Sequence, residues 1–235
     1  MISSPTEERI CRETQEFWDA EVTKPHLISI AQGKEIGHRI ADFVDDKTTA
    51  LLALNYMTRY QRDRHGNKLP RSMGDIWLEH GGIYHPINVK TGVSSSNGQP
   101  NMVSLKKVLD ALLLRQIDSY YLLMVKLEVQ QPIRCVVHFV DMLDYLDYVT
   151  FDSGPGQIML KARAFFAARS IGVVPPTRTI AEKVNRLVEL LEDGERRLAE
   201  NRKRALDKYR SRADEYTVAR QYIVTSETQA SLNLR

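Results

Sequence analysis

A chain of 235 residues with 43% hydrophobic side chains has the apolar material for one substantial core, and no apolar stretch in it approaches the length of a membrane span. Its net charge of +3 is too small to mark a nucleic-acid binder by itself, so only the distribution of charge is informative. The two cysteines, Cys11 and Cys135, sit in unlike contexts without metal-ligand spacing and read as reduced thiols; with a start, Met1–Glu8, that lacks the regions of a signal peptide, the expected location is the cytoplasm.

The polar opening predicts a short helix over about Thr6–Val22, ending near Pro25. From His26 the apolar spacing Ile28, Ile30, Ile36, Ile40, Phe43, Val44 becomes helical, and a further helical stretch is expected from Thr48 to about Tyr60. A basic, polar loop follows, in which Arg62, Arg64, Lys68 and Arg71 are interspersed with the breakers Gly66 and Pro70.

Two short strands flank the Gly81-Gly82 turn. An acid, Asp75, opens the first, and the triplet Asn88-Val89-Lys90 closes the second, thirteen residues later. In a tight hairpin these strands run side by side, which brings Asp75, Asn88 and Lys90 to one end of a sheet; Asn88 and Lys90, two apart, leave the same face. An aspartate and an amide oxygen can hold a hard cation such as Mg2+, and a neighbouring ammonium can position a water or offset developing charge on a phosphate. The plainer reading of the same residues is a solvated hairpin.

Beyond it lies a loop of turn formers, Val93–Asn101, and then helical spacing from Leu105 to Leu114. Tyr120–Val129 and Ile133–Met142 have the density of buried strands, and Gly156–Phe166 predicts another after the Gly154-Pro155-Gly156 turn. Past Pro175-Pro176, Thr177 can cap a long helix with Ile180, Val184, Leu187, Leu191, Leu198 and Tyr209 at helical intervals, which Gly194 could bend. Between Arg196 and Arg212 eight basic residues face two acids, an excess of six, which is usually a solvated face but would suit phosphates. The order predicts a mixed α/β chain, a single domain over 1–235 with its core over 28–175 and a basic carboxy-terminal helix over 177–212. There is no Walker loop, dinucleotide glycine fingerprint, zinc spacing or nucleophile elbow.

Asp75, the Asn88-Val89-Lys90 triplet and the Gln99-Pro100-Asn101 loop leading into a lysine-containing helix together resemble type II restriction endonucleases of the PD-(D/E)XK superfamily. The resemblance spans about residues 28–212 and is strongest between Gly74 and Lys106. It implies a restriction-endonuclease-like mixed sheet flanked by helices, Mg2+ as cofactor, double-stranded DNA as substrate, a homodimer on a short palindromic site, and a cognate DNA methyltransferase in the same system. Carried over by position, Asp75 matches the metal-binding aspartate and Lys90 the catalytic lysine. Asn88 stands where the family has Asp or Glu and would contribute no negative charge; it is either a natural variant or an inactivating replacement. Glu35, on the early helix, is the compensating carboxylate that the resemblance suggests, and an exposed helix acid is the competing reading.

Gln99 and Asn101 match the loop that approaches bases, where amides can pair with adenine, and Ser94, Ser95 and Asn97 belong to the same loop. Arg62, Arg64, Lys68 and Arg71 are expected phosphate contacts. His138 reads as a core histidine, and His65, His80 and His85 as loop or strand-edge positions. Two other functions stay open: a repair or junction-resolving nuclease on the same core, and a non-catalytic dimeric DNA-binding protein.

Overall fold

The computed structural model describes residues 1–24, 36–61, 65, 72–93, 100–128 and 132–232. Helix α1 spans Ser4–Glu21 and helix α2 spans Ile36–Asn55. The sequence spacing predicts two helical stretches where α2 is one. Ile40, Val44, Thr48 and Leu52 recur every four residues and all four are buried, so the polar Asp45-Asp46-Lys47 run lies beside that stripe and does not interrupt it. Thr48 can join an apolar face because its hydroxyl is satisfied. It donates to the Val44 carbonyl at 2.7 Å and accepts from the Trp18 indole at 3.0 Å, which also locks α1 to α2.

Strands β1 (Thr58–Arg59), β2 (Ile76–His80), β3 (Ile83–Val93), β5 (Tyr121–Glu128) and β6 (Arg134–Asp141) form a five-stranded sheet in the order β1-β2-β3-β5-β6. The β3–β5 pairing is parallel and the others are antiparallel, so the sheet is mixed. Strand β1 occupies the end of what the spacing predicts as helix. A second sheet, in the order β4-β8-β7, joins β4 (Asn101–Ser104), β8 (Gln157–Leu160) and β7 (Val149–Asp152). Helix α3 covers Leu105–Leu113 and α4 covers Ala162–Ser170. The strand expected over Gly156–Phe166 therefore ends at Leu160. The segment ARAFFAARS is rich in good helix formers and buries Phe165 and Ala168, three apart, on one helical face.

Alternation along β5 divides the core. Tyr121, Leu123, Val125 and Leu127 pack on α1 and α2 through Ile10, Trp18, Ile40, Val44 and Leu52. Leu122 and Met124 face the other layer with α3, the small sheet, Phe165, Leu187 and Leu190. Burial on both faces explains why a central, parallel-paired strand reads as an unbroken apolar run. The protein is thus α/β, with a mixed central sheet and helices. Among the described residues no helix is long and apolar enough to cross a membrane.

Helix α5 runs from Ile180 to Leu232, unbroken through Gly194. The chain resolves into two compact units, Met1–Leu191 and Glu192–Arg235, the second being the remainder of this helix and the residues after it.

Candidate active site

The hairpin forms as its sequence predicts. Gly81 and Gly82 have φ of 63° and 80°, the pair of positive values that a two-residue turn of the twist-compatible kind requires. That turn sets Ile76 opposite Ile87 and Leu78 opposite His85. Asp75 lies one residue before β2, and its N–H donates to the Ile87 carbonyl at 2.8 Å. Gly74 makes the approach possible, since a Cβ there would stand 2.9 Å from the Ile87 carbonyl oxygen.

Beyond Ile87, β3 continues past the start of β2, and the Asp75 carboxylate fills the resulting gap. Its Oδ2 accepts the Val89 N–H at 2.8 Å and lies 3.4 Å from the Lys90 ammonium. Lys90 also donates to the Val89 carbonyl at 2.9 Å. Neither side chain is sealed: Lys90 is 21% and Asp75 37% exposed, so a solvent-borne ligand can reach both. The carboxylate and ammonium are together, as the hairpin register requires.

Asn88 departs from the expected role in its surroundings. It is buried, and its Nδ2 donates to the Met102 carbonyl at 2.9 Å, tying β3 to β4. Its Oδ1 is buried and, among the described residues, has no well-formed hydrogen bond; the hydroxyl of the neighbouring Tyr120 is in the same position, with the Asn88 amide close by. Burial, together with the charge of Asp75, holds the Tyr120 phenol well above its ordinary range, so it stays a neutral hydroxyl. An aspartate at position 88 would lack the N–H that Met102 accepts and would set two acceptors against each other in a dry site. Asn88→Asp is therefore expected to destabilise the protein by about 1–3 kcal/mol, read as a lower urea midpoint with the slope unchanged. An unchanged or higher midpoint would show that the amide is not needed there.

Asp45 is the acid that sequence reasoning missed. It lies on α2, and its Oδ1 accepts a hydrogen bond from the Thr91 hydroxyl at 2.7 Å. Burial pushes its carboxyl up to about 7; the Thr91 bond and Lys90 oppose the rise, while Asp75 and Asp42 add to it. Its charge thus senses both Asp75 and Lys90. The available signal was its place next to Val44, at the border of the apolar stripe Ile40, Val44, Leu52.

Glu35, Arg62, Arg64, Lys68, Arg71, Ser94, Ser95, Asn97 and Gln99 lie outside the described residues. Asn101 is exposed at the start of β4, opposite Met159. Among the histidines, His138 packs against Phe165 and Phe166, and burial lowers it to about 4, as befits a neutral core ring. His85, expected at an edge, is instead buried, with Nδ1 3.0 Å from the Ser119 hydroxyl. It lies on β3, where the inner face of the hairpin is covered. The Ser119 hydroxyl is turned to Asp118 at 2.8 Å, so the three do not form a nucleophile, base and orienting acid in sequence.

Hard cations take oxygen ligands, and among the described residues no group of three His, Cys, Asp or Glu is assembled. What this end of β3 offers is a partly exposed carboxylate on Asp75, the buried Asn88 oxygen on one face, and Asp45 as a second acid on the other. All three are oxygen donors, the class that Mg2+ takes, though the raised Asp45 carboxyl is only partly ionised near neutral pH. Comparison with protein-family models and with characterised proteins finds no match to this chain.

Proposed function

We propose that the protein is a Mg2+-dependent endonuclease on double-stranded DNA, of the type II restriction class, with a restriction-endonuclease-like core. The observation that carries the reading is the Asp75–Lys90 pair, held 3.4 Å apart by the hairpin register at the point where β3 outruns β2. A surface ion pair in that position adds little stability, which leaves its chemistry as the better account. Support for the wider core comes from the helix–hairpin–helix–strand order α2, β2, β3, α3, β5, with β3 and β5 parallel.

Asp75 would hold the cation, with the Asn88 Oδ1 on one face of β3 and Asp45 on the other as further candidate oxygens. A bound Mg2+ supplies charge neutralisation for the phosphate and a water of lowered pKa. Lys90 would orient the attacking water and donate to a phosphate oxygen, and its contact with Asp75 keeps the ammonium in place. Water oxygen forms the new bond to phosphorus as the bond to the 3′ oxygen breaks, leaving a 5′-phosphate and a 3′-hydroxyl. Asn101 would approach bases from the start of β4. One centre per chain makes a homodimer the natural form on a two-stranded palindromic site, in a cytoplasmic restriction system with a partner methyltransferase.

Incubation with plasmid and Mg2+ tests the reading. Discrete fragments that vanish on chelation are expected. Nicking confined to branched substrates would replace it by a junction-resolving enzyme, and a gel shift without cleavage by a non-catalytic binder.

A further inference from the structure

Between Arg202 and Arg212, helix α5 carries six cations, Arg202, Lys203, Arg204, Lys208, Arg210 and Arg212, against one acid, Asp207. All six are exposed. Earlier in the same helix the cations are neutralised locally: Arg186 pairs with Glu189 at 2.7 Å and Arg196 with Asp193 at 2.6 Å. Among the described residues none of the six in the later segment is ion-paired. The change in pattern is internal to one helix, so it does not reflect general basicity.

Arg204, Lys208 and Arg212 recur every four residues and therefore stand in one row. Like charges at that spacing disfavour an isolated helix. A row of cations that opposes its own helix is relieved by an anion laid along it. The row advances about 6 Å per step, and duplex DNA presents roughly one phosphate charge per 1.7 Å of its axis, so each cation can find a phosphate. Acids bound the segment on both sides: Glu195 and Glu200 before it, with Glu200 closing the amino-terminal end of the row itself, and Asp214 and Glu215 after it. The positive potential is thus confined to a short stretch, which suits the backbone of a duplex.

We infer that the Arg202–Arg212 segment of α5 is a sequence-independent binding surface for the phosphate backbone of duplex DNA. This inference rests on the proposed function for the identity of the ligand and is separate from it in chemistry. Contacts of this kind hold the duplex without reading bases, and their strength falls steeply with salt.

The test uses the full chain without divalent cation and a mixed-sequence duplex of about 30 base pairs, with fluorescence anisotropy read across a salt series. Arg204→Gln, Lys208→Gln and Arg212→Gln are combined, because Gln keeps the helix propensity and all three positions are exposed. Loss of three phosphate contacts should lower the slope of log affinity against log salt by about 3 and weaken binding at least tenfold at low salt. An unchanged slope overturns the inference, as does failure of the unaltered chain to bind the duplex. So does an unchanged slope accompanied by loss of self-association in sedimentation, which would assign the row to a second copy of this chain. Plasmid cleavage with an unchanged slope sinks this surface alone. A lowered slope in a chain that never cuts supports the surface and sinks the hydrolytic centre.

Discussion

Asp75→Asn is expected to lower plasmid cleavage in Mg2+ on the order of a thousandfold, about 4 kcal/mol of transition-state stabilisation, while leaving the urea midpoint close to that of the unaltered chain. The substitution removes the exposed negative charge of the donor set and the anionic partner of Lys90, with little change in side-chain volume. Lys90→Met should match it in lost cleavage but differ in metal binding. Removing the ammonium takes away a competing cation, so Mn2+ titration followed by electron paramagnetic resonance should show affinity kept or raised for Lys90→Met and lost for Asp75→Asn. Cleavage by Asp75→Asn at the original rate would remove the hydrolytic reading of the hairpin.

Lys183→Met should be the most destabilising of the single changes considered, at about 3–5 kcal/mol. Lys183 is 1% exposed on the first turns of α5 and donates to Asp141 Oδ2 at 2.7 Å, with Asp144 3.4 Å away. Asp141 closes β6 and its other oxygen accepts the N–H groups of Tyr120 and Leu143. Burial pushes the Asp141 carboxyl up, and Lys183 is the main opposing influence. Without the ammonium the carboxyl must remain an unpaired buried charge or take up a proton. A folded-state pKa raised above the unfolded value means stability present in acid and lost as pH rises through the folded value. The deficit of Lys183→Met should accordingly grow as the pH climbs from about 4 toward neutrality. Adding Asp141→Asn should recover a large part of it, since an amide can still accept from the two backbone donors. Thermal unfolding of the single and double variants across pH decides the matter; equal melting temperatures for Lys183→Met and the unaltered chain would show that the pair contributes nothing.

The hairpin was legible because its geometry is local. Two glycines at the turn and strict alternation settle which residues of β2 and β3 lie opposite, so Asp75 and Lys90 come together without knowledge of the rest. Asp45 was not legible, because which turn of α2 meets β3 is a matter of helix-on-sheet packing. Only the apolar stripe constrains that contact, and the place of Asp45 at its border does not say which strand residue it meets. The burial of Asn88 depends on Met102, fourteen residues away on another sheet, and the sealing of His85 on Ser119, thirty-four residues away. Sequence periodicity also overreached where a polar run crossed a helix face, splitting α2, and where an apolar strand ran into an apolar helix at Leu160. In each case the missing information was a partner distant along the chain.

The carboxylate ahead of β2 has a structural duty alongside any chemistry. By taking the Val89 N–H it closes a bare stretch of strand edge, where an unoccupied amide would invite water or a foreign strand. An alanine at position 75 would thus unpick the fold locally as well as disarm it, whereas asparagine can still offer an oxygen to Val89. The amide variant is for this reason the one whose behaviour speaks to reactivity alone.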